Sequence, residues 1–343
     1  MRLLKRSTER DEEERAGDEA DLSNEEGNVP TPQPEQREPE LRDPGLSDLT
    51  ARDYKAIIVR AGKQALSHGI TDLAAALAYY SFLAIPAVLL VAVGLFSLFA
   101  SPDAITTLID KLGTVVPAQA TQLIEDSLRR MNENSNGSLA MVIVGFVLAL
   151  WTATGAMTAF MRAVNRAYDR DETRGFVKQR FVAIQMVIGL GLAFLLVFGL
   201  LVLGPVISGW IGSALDIEGV IGWVWWIVQW PILIGVLLLV FATVLYLGPN
   251  VEHPRWRFVT PGSAFAVVVW LAASGGFAVY TSMFSSYNKT WGSLAAVIVM
   301  LTWLWLSGLA LLLGAEINAE TERSRELRQG QPAEREIQAP SRA

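Results

Sequence analysis

Glu316 closes an uncharged run of 26 residues, and Arg162 follows another of 28, with Asn165 and Arg166 just beyond it. If both runs are helices that cross a bilayer, these groups share one depth at the same membrane face. A lone charge near hydrocarbon is costly, and an opposite charge nearby relieves that cost. The spacing therefore predicts a pair between Glu316 and Arg162 or Arg166, either a fixed closure of the bundle or a gate. A second group of polar residues lies within the runs: Tyr79, Tyr80 and Ser81 ahead of Pro86, then Thr152 and Thr154, and Asn288. A proline inside a span frees a carbonyl and bends the helix. If these residues line one water-filled cavity, a small polar solute is a fitting cargo; a dry, Leu-packed centre fits a scaffold instead.

Other chemistry lacks its residues. With no cysteine, disulfides, thiolate catalysis and Cys-ligated metals are excluded. Only two histidines exist, His68 and His253, in different segments. No clustered His and carboxylate set suggests metal-dependent RNA hydrolysis, and no basic, aromatic-studded surface suggests nucleic acid. A GxxxxGK[ST] loop for nucleotide phosphates is absent. No carboxylate sits mid-span, where ion-coupled carriers usually keep one. No cofactor is implied, the expected partners are the bilayer and an unknown small solute, and no enzymatic activity is expected.

The elements that would position these residues are six uncharged runs: 73–102, 134–161, 181–215, 219–251, 258–288 and 290–315. About 20 mainly apolar residues cross a bilayer core as a helix. The expected fold is all-α and polytopic, with six transmembrane helices at about 73–99, 138–162, 181–212, 220–248, 259–285 and 292–316. Residues 1–50 carry 15 Asp/Glu against 7 Lys/Arg and no aromatic, and read as a disordered acidic tail; residues 319–343 read as a second disordered tail after a short helical extension. Residues 51–72 read as a basic amphipathic helix. It either lies in the membrane interface or packs on the protein itself. The loop 103–133 reads as two short amphipathic helices. Lys and Arg cluster before the first span, between the second and third, between the fourth and fifth, and after the sixth. That bias places both termini in the cytoplasm.

Small residues recur: Gly189, Gly191, Gly199, Gly204, Gly209 and Gly212 in the third span, then Gly275, Gly276 and Gly308. They predict close helix packing, with a break at Gly204-Pro205. Trp210, Trp223, Trp225, Trp226 and Trp230 fit an aromatic belt at the outer face.

Several of these segments, in order, resemble one family. They are Ala74-Ala-Ala-Leu-Ala-Tyr-Tyr-Ser-Phe-Leu-Ala-Ile-Pro86, Trp151 through Asn165-Arg166-Ala-Tyr168, Arg174 to Arg180, and Tyr246-Leu-Gly-Pro249. Pro254-Arg-Trp-Arg257 with Pro261-Gly262, Trp291-Gly-Ser-Leu294, Trp303-Leu-Trp305 and Leu313-Gly-Ala-Glu-Ile-Asn-Ala319 complete the set. The chain resembles the YihY/BrkB family of bacterial inner-membrane proteins, often labelled ribonuclease BN-like, over roughly residues 54–320. The resemblance implies a six-helix inner-membrane protein, described as a transporter or an export-linked protein. Thr154 stands where the family more often has serine, which keeps the hydroxyl. The alternatives are a non-transporting scaffold or envelope-integrity protein and, less well supported by the chemistry, a tRNA-processing nuclease.

Overall fold

A computed structural model of the chain describes residues 33–341 except 38, 43, 100–134, 216–217, 253–258, 284–292 and 335–336. The expectations for residues 1–32, His253, the loop 103–133, Asn288 and the Trp291-Gly292 pair lie outside the described residues. Seven α-helices are described: α1 Ala51–Ser67, α2 Ile70–Phe99, α3 Ser135–Ala167, α4 Phe176–Leu215, α5 Glu218–Leu247, α6 Pro261–Met283 and α7 Ser293–Arg328. Five of them are long and apolar enough to cross a membrane, and six crossings result when the bent α1–α2 pair is counted as one. No strand occurs among the described residues.

Local sequence sets the ends of these helices. Thr50 caps α1: its Oγ accepts from the Asp53 N–H, and Asp53 Oδ2 accepts from the Thr50 N–H at 2.8 Å. α1 stops at His68-Gly69, where Gly69 takes φ +63°, and α2 leaves at 67° to α1. α6 opens with Pro261 after Thr260, whose Oγ accepts from the Ser263 N–H at 3.0 Å. Pro86 and Pro231 sit inside α2 and α5. α4 runs unbroken through Gly204-Pro205, contrary to the expected break. At 40 residues α4 is about 60 Å long, twice the hydrocarbon core of ~30 Å.

The helices form a ring. From α2 to α7 each packs against the next in sequence, and α7 closes back onto α2. One end of this ring carries the described terminal segments 33–50 and 329–341, so we call it the terminal end. The main apolar core lies there, with Met161, Val164, Tyr168, Met186, Leu245 and Leu312 all buried. Without water to expel, helices in a bilayer associate through close contact of small residues, and alanines fill this core: Ala74, Ala159, Ala163, Ala183, Ala315 and Ala319. Gly262 and Gly314 form the closest crossing. A Cβ on Gly262 would stand 2.0 Å from the Gly314 carbonyl oxygen. Gly308 likewise faces Ala74, and Gly204 lies under the Trp225 ring. Gly189, Gly191, Gly209, Gly275 and Gly276 meet nothing within 4 Å among the described residues, so the packing role expected of them is not seen there.

Where they are described, the segments expected to be disordered are packed against the helices. α7 does not stop near Glu316 but continues to Arg328, with Glu320, Arg323, Ser324, Glu326 and Leu327 buried along the extension. Residues 331–334 and 337–341 fold back onto it: Ala333 and Ile337 are buried, and Glu326 accepts from the N–H groups of Gln338 and Ala339, each at 2.7 Å. Residues 33–50 do the same from the other side, through Leu41 N–H to the Arg328 carbonyl and Arg325 to the Pro44 carbonyl. The polar composition that suggests solvation is here spent on hydrogen bonds between segments far apart in sequence.

Candidate functional site

The bend between α1 and α2 holds His68 against α7, and there it meets Glu316. His68 Nδ1 lies 2.8 Å from Glu316 Oε1, and Nε2 lies 3.5 Å from Asp169 Oδ1. Asp169 follows α3 in the left-handed region at φ 51°, a conformation that Asp tolerates better than most residues. This turn aims its carboxylate into the ring's end, where Oδ2 accepts from Arg323 at 2.8 Å. Arg323 in turn faces Glu320 at 3.3 Å. Glu320 accepts from Arg60 of α1 at 2.6 Å, and Arg60 donates to Glu35 at 2.9 Å. Ser324 closes the set, donating to Glu35 and accepting from Arg60. Charges alternate along this chain: Glu316, His68, Asp169, Arg323, Glu320, Arg60, Glu35. It draws on the amino-terminal segment, α1, the α1–α2 bend, the turn after α3, and α7.

The electrostatics follow from the geometry. The carboxylates of Asp169 and Glu316, one at each ring nitrogen, raise the His68 pKa to about 9 against the opposing cost of burial. His68 is therefore a cation at neutral pH. Burial would raise the Glu35 pKa, yet hydrogen bonds from Arg60 and Ser324 outweigh it and hold the carboxyl below its usual value. Glu316 is buried, and its second oxygen, Oε2, has no hydrogen-bond partner. With Nδ1 bonded to Glu316 and Nε2 in a looser ion pair with Asp169, the protonated ring offers no lone pair to a metal. Among the described residues no group of three His, Asp or Glu is arranged to hold a metal ion.

A second polar cluster adjoins the first through the turn Asp169–Arg174. Arg174 makes a two-pronged pair with Glu172, both at 2.7 Å, and donates to the Leu247 and Gly248 carbonyls at the end of α5. A guanidinium at a helix C-terminus satisfies orphan carbonyls and suits the helix dipole. Glu172 is held below its usual pKa by Arg174 and by the Asn165 amide, despite partial burial. Asn165 donates to Glu172 and accepts from the Asn250 N–H at 2.6 Å. Arg170 takes the Ile337 and Ala339 carbonyls, and the Glu252 N–H donates to Pro340.

The residues singled out from sequence separate here. Glu316 and Asn165 reach the terminal end, in the two clusters just described. The expected pairing of Glu316 with Arg162 or Arg166 is not formed: both arginines lie on the exposed face of α3, while Met161, Val164 and Asn165 turn inward. His68 fills the place instead. Thr154 is buried and accepts from Arg180 at 2.9 Å. Thr152 returns its hydroxyl to the Leu148 and Ala149 carbonyls of its own helix. Tyr79 and Tyr80 are exposed and meet edge to face, Ser81 is half-buried and Pro86 exposed. Sequence reasoning missed His68, Asp169, Arg323, Glu320, Arg60 and Glu35 as a set. The one available signal was Gly69 directly after His68, which marks a helix end just before the first uncharged run.

No solved structure matches the chain. The chain is 34% identical to the ribonuclease-like protein YfkH of Bacillus subtilis, over 64% of this chain and 79% of that protein. It is 25% identical to a UPF0761 membrane protein of Chromohalobacter salexigens, over 82% of this chain and 66% of the relative. A UPF0761 membrane protein of Tolumonas auensis shares 32% identity over 42% of this chain and 47% of its own length. The chain thus spans about half to four-fifths of these relatives. The profile of the family described as virulence factor BrkB matches residues 61–338, a stretch that takes in the helix ring, the His68–Glu316 contact and the folded-back carboxyl-terminal segment. The chain is a multi-pass membrane protein of the BrkB family.

Proposed function

We propose that this protein moves a small solute across the bacterial inner membrane without ATP, as a transporter or exporter whose path is closed at the terminal end by the charged chain from Glu316 to Glu35. The observation that carries the reading is the ring itself. Six helices close on one another in order, yet large buried side chains concentrate at one end. Among the side chains described toward the other end, those buried are small, such as Ala84 and Ala149. A passage sealed at one side needs that asymmetry. The seal joins ion pairs between helices to the apolar core beneath them, so opening it means exchanging charged partners and shifting that core.

The Lys/Arg bias supports a cytoplasmic position for the seal and both termini. A Cys at the exposed Asp171 tests it: an impermeant thiol reagent should label it only after cells are opened. Ser324 is buried and unsuited to that assay.

The reading makes the chain a non-enzyme. The described histidine, His68, is a protonated partner of two carboxylates, which does not suit the activated water or metal that RNA hydrolysis uses. A scaffold role has one observation in its favour, since both terminal segments brace the closed end. Flux decides between the two. Purified protein in liposomes should release selected solutes from a panel of ions, amino acids, sugars and organic acids, and Glu316→Gln should change the rate. No release of any class, in wild type or variant, would reject the transporter and leave the scaffold.

A further inference from the structure

The geometry points to α1 as a docking surface for the anionic headgroup layer of the bilayer that holds the helix ring. One stripe of α1, Asp53, Ile57, Ala61 and Ala65, is buried, and Ile57 and Ala61 pack against Ile317 of α7. The exposed side of α1 meets no partner among the described residues. Leu66 is 82% exposed and Ile58 60%, with Val59 beside them. An isoleucine and a leucine at i and i+8, so open on a fixed helix, are an expense for a surface that faces only water.

Two further observations choose the occupant. The first is direction: α1 is turned by 67° from α2. A helix so turned from a spanning helix lies much nearer the bilayer plane than its normal. Arg60, tied to Glu35, Glu320 and Ser324, holds it there. The second is charge. Arg52, Lys55 and Lys63 are exposed on α1, while its one acid, Asp53, is fully buried in the capping box. An open apolar stripe flanked only by cations matches an interface of acyl chains beneath anionic headgroups. A second copy of this chain would have to bring three acidic groups to the same face. The docking stands whether or not the chain transports a solute.

The chain has no cysteine, so single Cys variants report cleanly. Ile58→Cys, Leu66→Cys and, as a control, the exposed Gln331→Cys are labelled with bimane in the full chain. They are placed in nanodiscs of phosphatidylglycerol or of phosphatidylcholine, each with headgroup-level nitroxide lipid. Quenching at 58 and 66 should exceed that at 331 by at least about twofold in phosphatidylglycerol, and the excess should shrink in phosphatidylcholine. Lys55→Gln with Lys63→Gln, added to Leu66→Cys, should shrink it likewise. Equal quenching at all three sites would overturn the proposal, as would an excess that ignores lipid charge. Protection that rises with the number of protein copies per disc would assign the stripe to a second copy and also overturn it.

Discussion

Helix α6 passes through two different surroundings. Near its start, Gly262 touches the backbone of α7, and its N–H donates to Asn318 at 2.9 Å. Further along, Gly275 and Gly276 face open space. Between them an aromatic step links the same two helices: Trp270 donates to Ser307 at 2.9 Å, and its ring lies 6.0 Å from Trp303, edge to face. The terminal end of the ring is thus fixed by backbone contact and satisfied charge. The far part is held by side-chain tips and exposes large apolar groups, such as Trp223 and Trp226, that suit lipid. A membrane protein can leave the second kind of surface unpacked because the bilayer covers it. It cannot leave buried charge unpartnered in the first.

The contrast breaks most sharply at the Gly262–Gly314 crossing. Gly262→Val needs space occupied by backbone, which cannot move aside as a side chain tip could. The expected cost is at least about 3 kcal/mol, seen as loss of folded protein in detergent chromatography. Normal yield and melting temperature would mean that α6 and α7 do not cross there.

Arg174 comes next. Arg174→Ala removes the guanidinium from Glu172 and from two helix-end carbonyls at once. The expected loss is about 2–4 kcal/mol, since a carboxylate and buried carbonyls lose their partner. Arg174→Lys should recover only part of it, because an ammonium cannot make the two-pronged contact. Thermal unfolding of the two variants in one detergent measures both values. Equal stability of Arg174→Lys and wild type would show that the fork is not used.

The sequence made the spans legible because absence of charge over 26 or more residues leaves few alternatives. It also marked Glu316 and Asn165, since a carboxylate and an amide at the edge of such runs must find partners. It could not choose the partners. His68 stands 248 positions from Glu316, and nothing local tells which face of α3 Arg162 takes. The terminal segments were misjudged for the opposite reason. Glu35, Glu326 and Arg323 look like solvated charge, and only long-range pairing makes them interior residues. Loss of residues 33–48 is expected to lower stability, since Glu35 holds Arg60.

The His68 contact yields a pH signature. A folded pKa of about 9 against 6.5 means that the folded state holds its proton more tightly than the unfolded one. The resulting stabilisation is fully present below pH 6.5 and fades as pH rises through about 9. Its ceiling is about 3 kcal/mol by linkage. Melting temperature should fall between pH 7 and 10 in wild type and stay flatter in His68→Gln. Coupling should appear between His68→Gln and Glu316→Gln in a double-mutant cycle and be absent between Arg162→Gln and Glu316→Gln. Additivity of the first pair, or coupling of the second, would return Glu316 to the arginines of α3.

The smallest expected effect tests the far end. Gly275→Ala and Gly191→Ala add a methyl where nothing lies within 4 Å, and alanine favours a helix over glycine. Each should shift stability by no more than about 0.5 kcal/mol, or raise it slightly. A loss above about 1 kcal/mol at Gly275 would mean that another surface, from a second copy or from residues of this chain beyond the described ones, presses on that face of α6. In the first case the far part of the ring would be packed between copies and not open to lipid, and the contrast between its two ends would belong to the isolated chain alone. Light scattering on wild type and Gly275→Ala in the same detergent separates the cases: a change of mass accompanies the loss only if copies meet there.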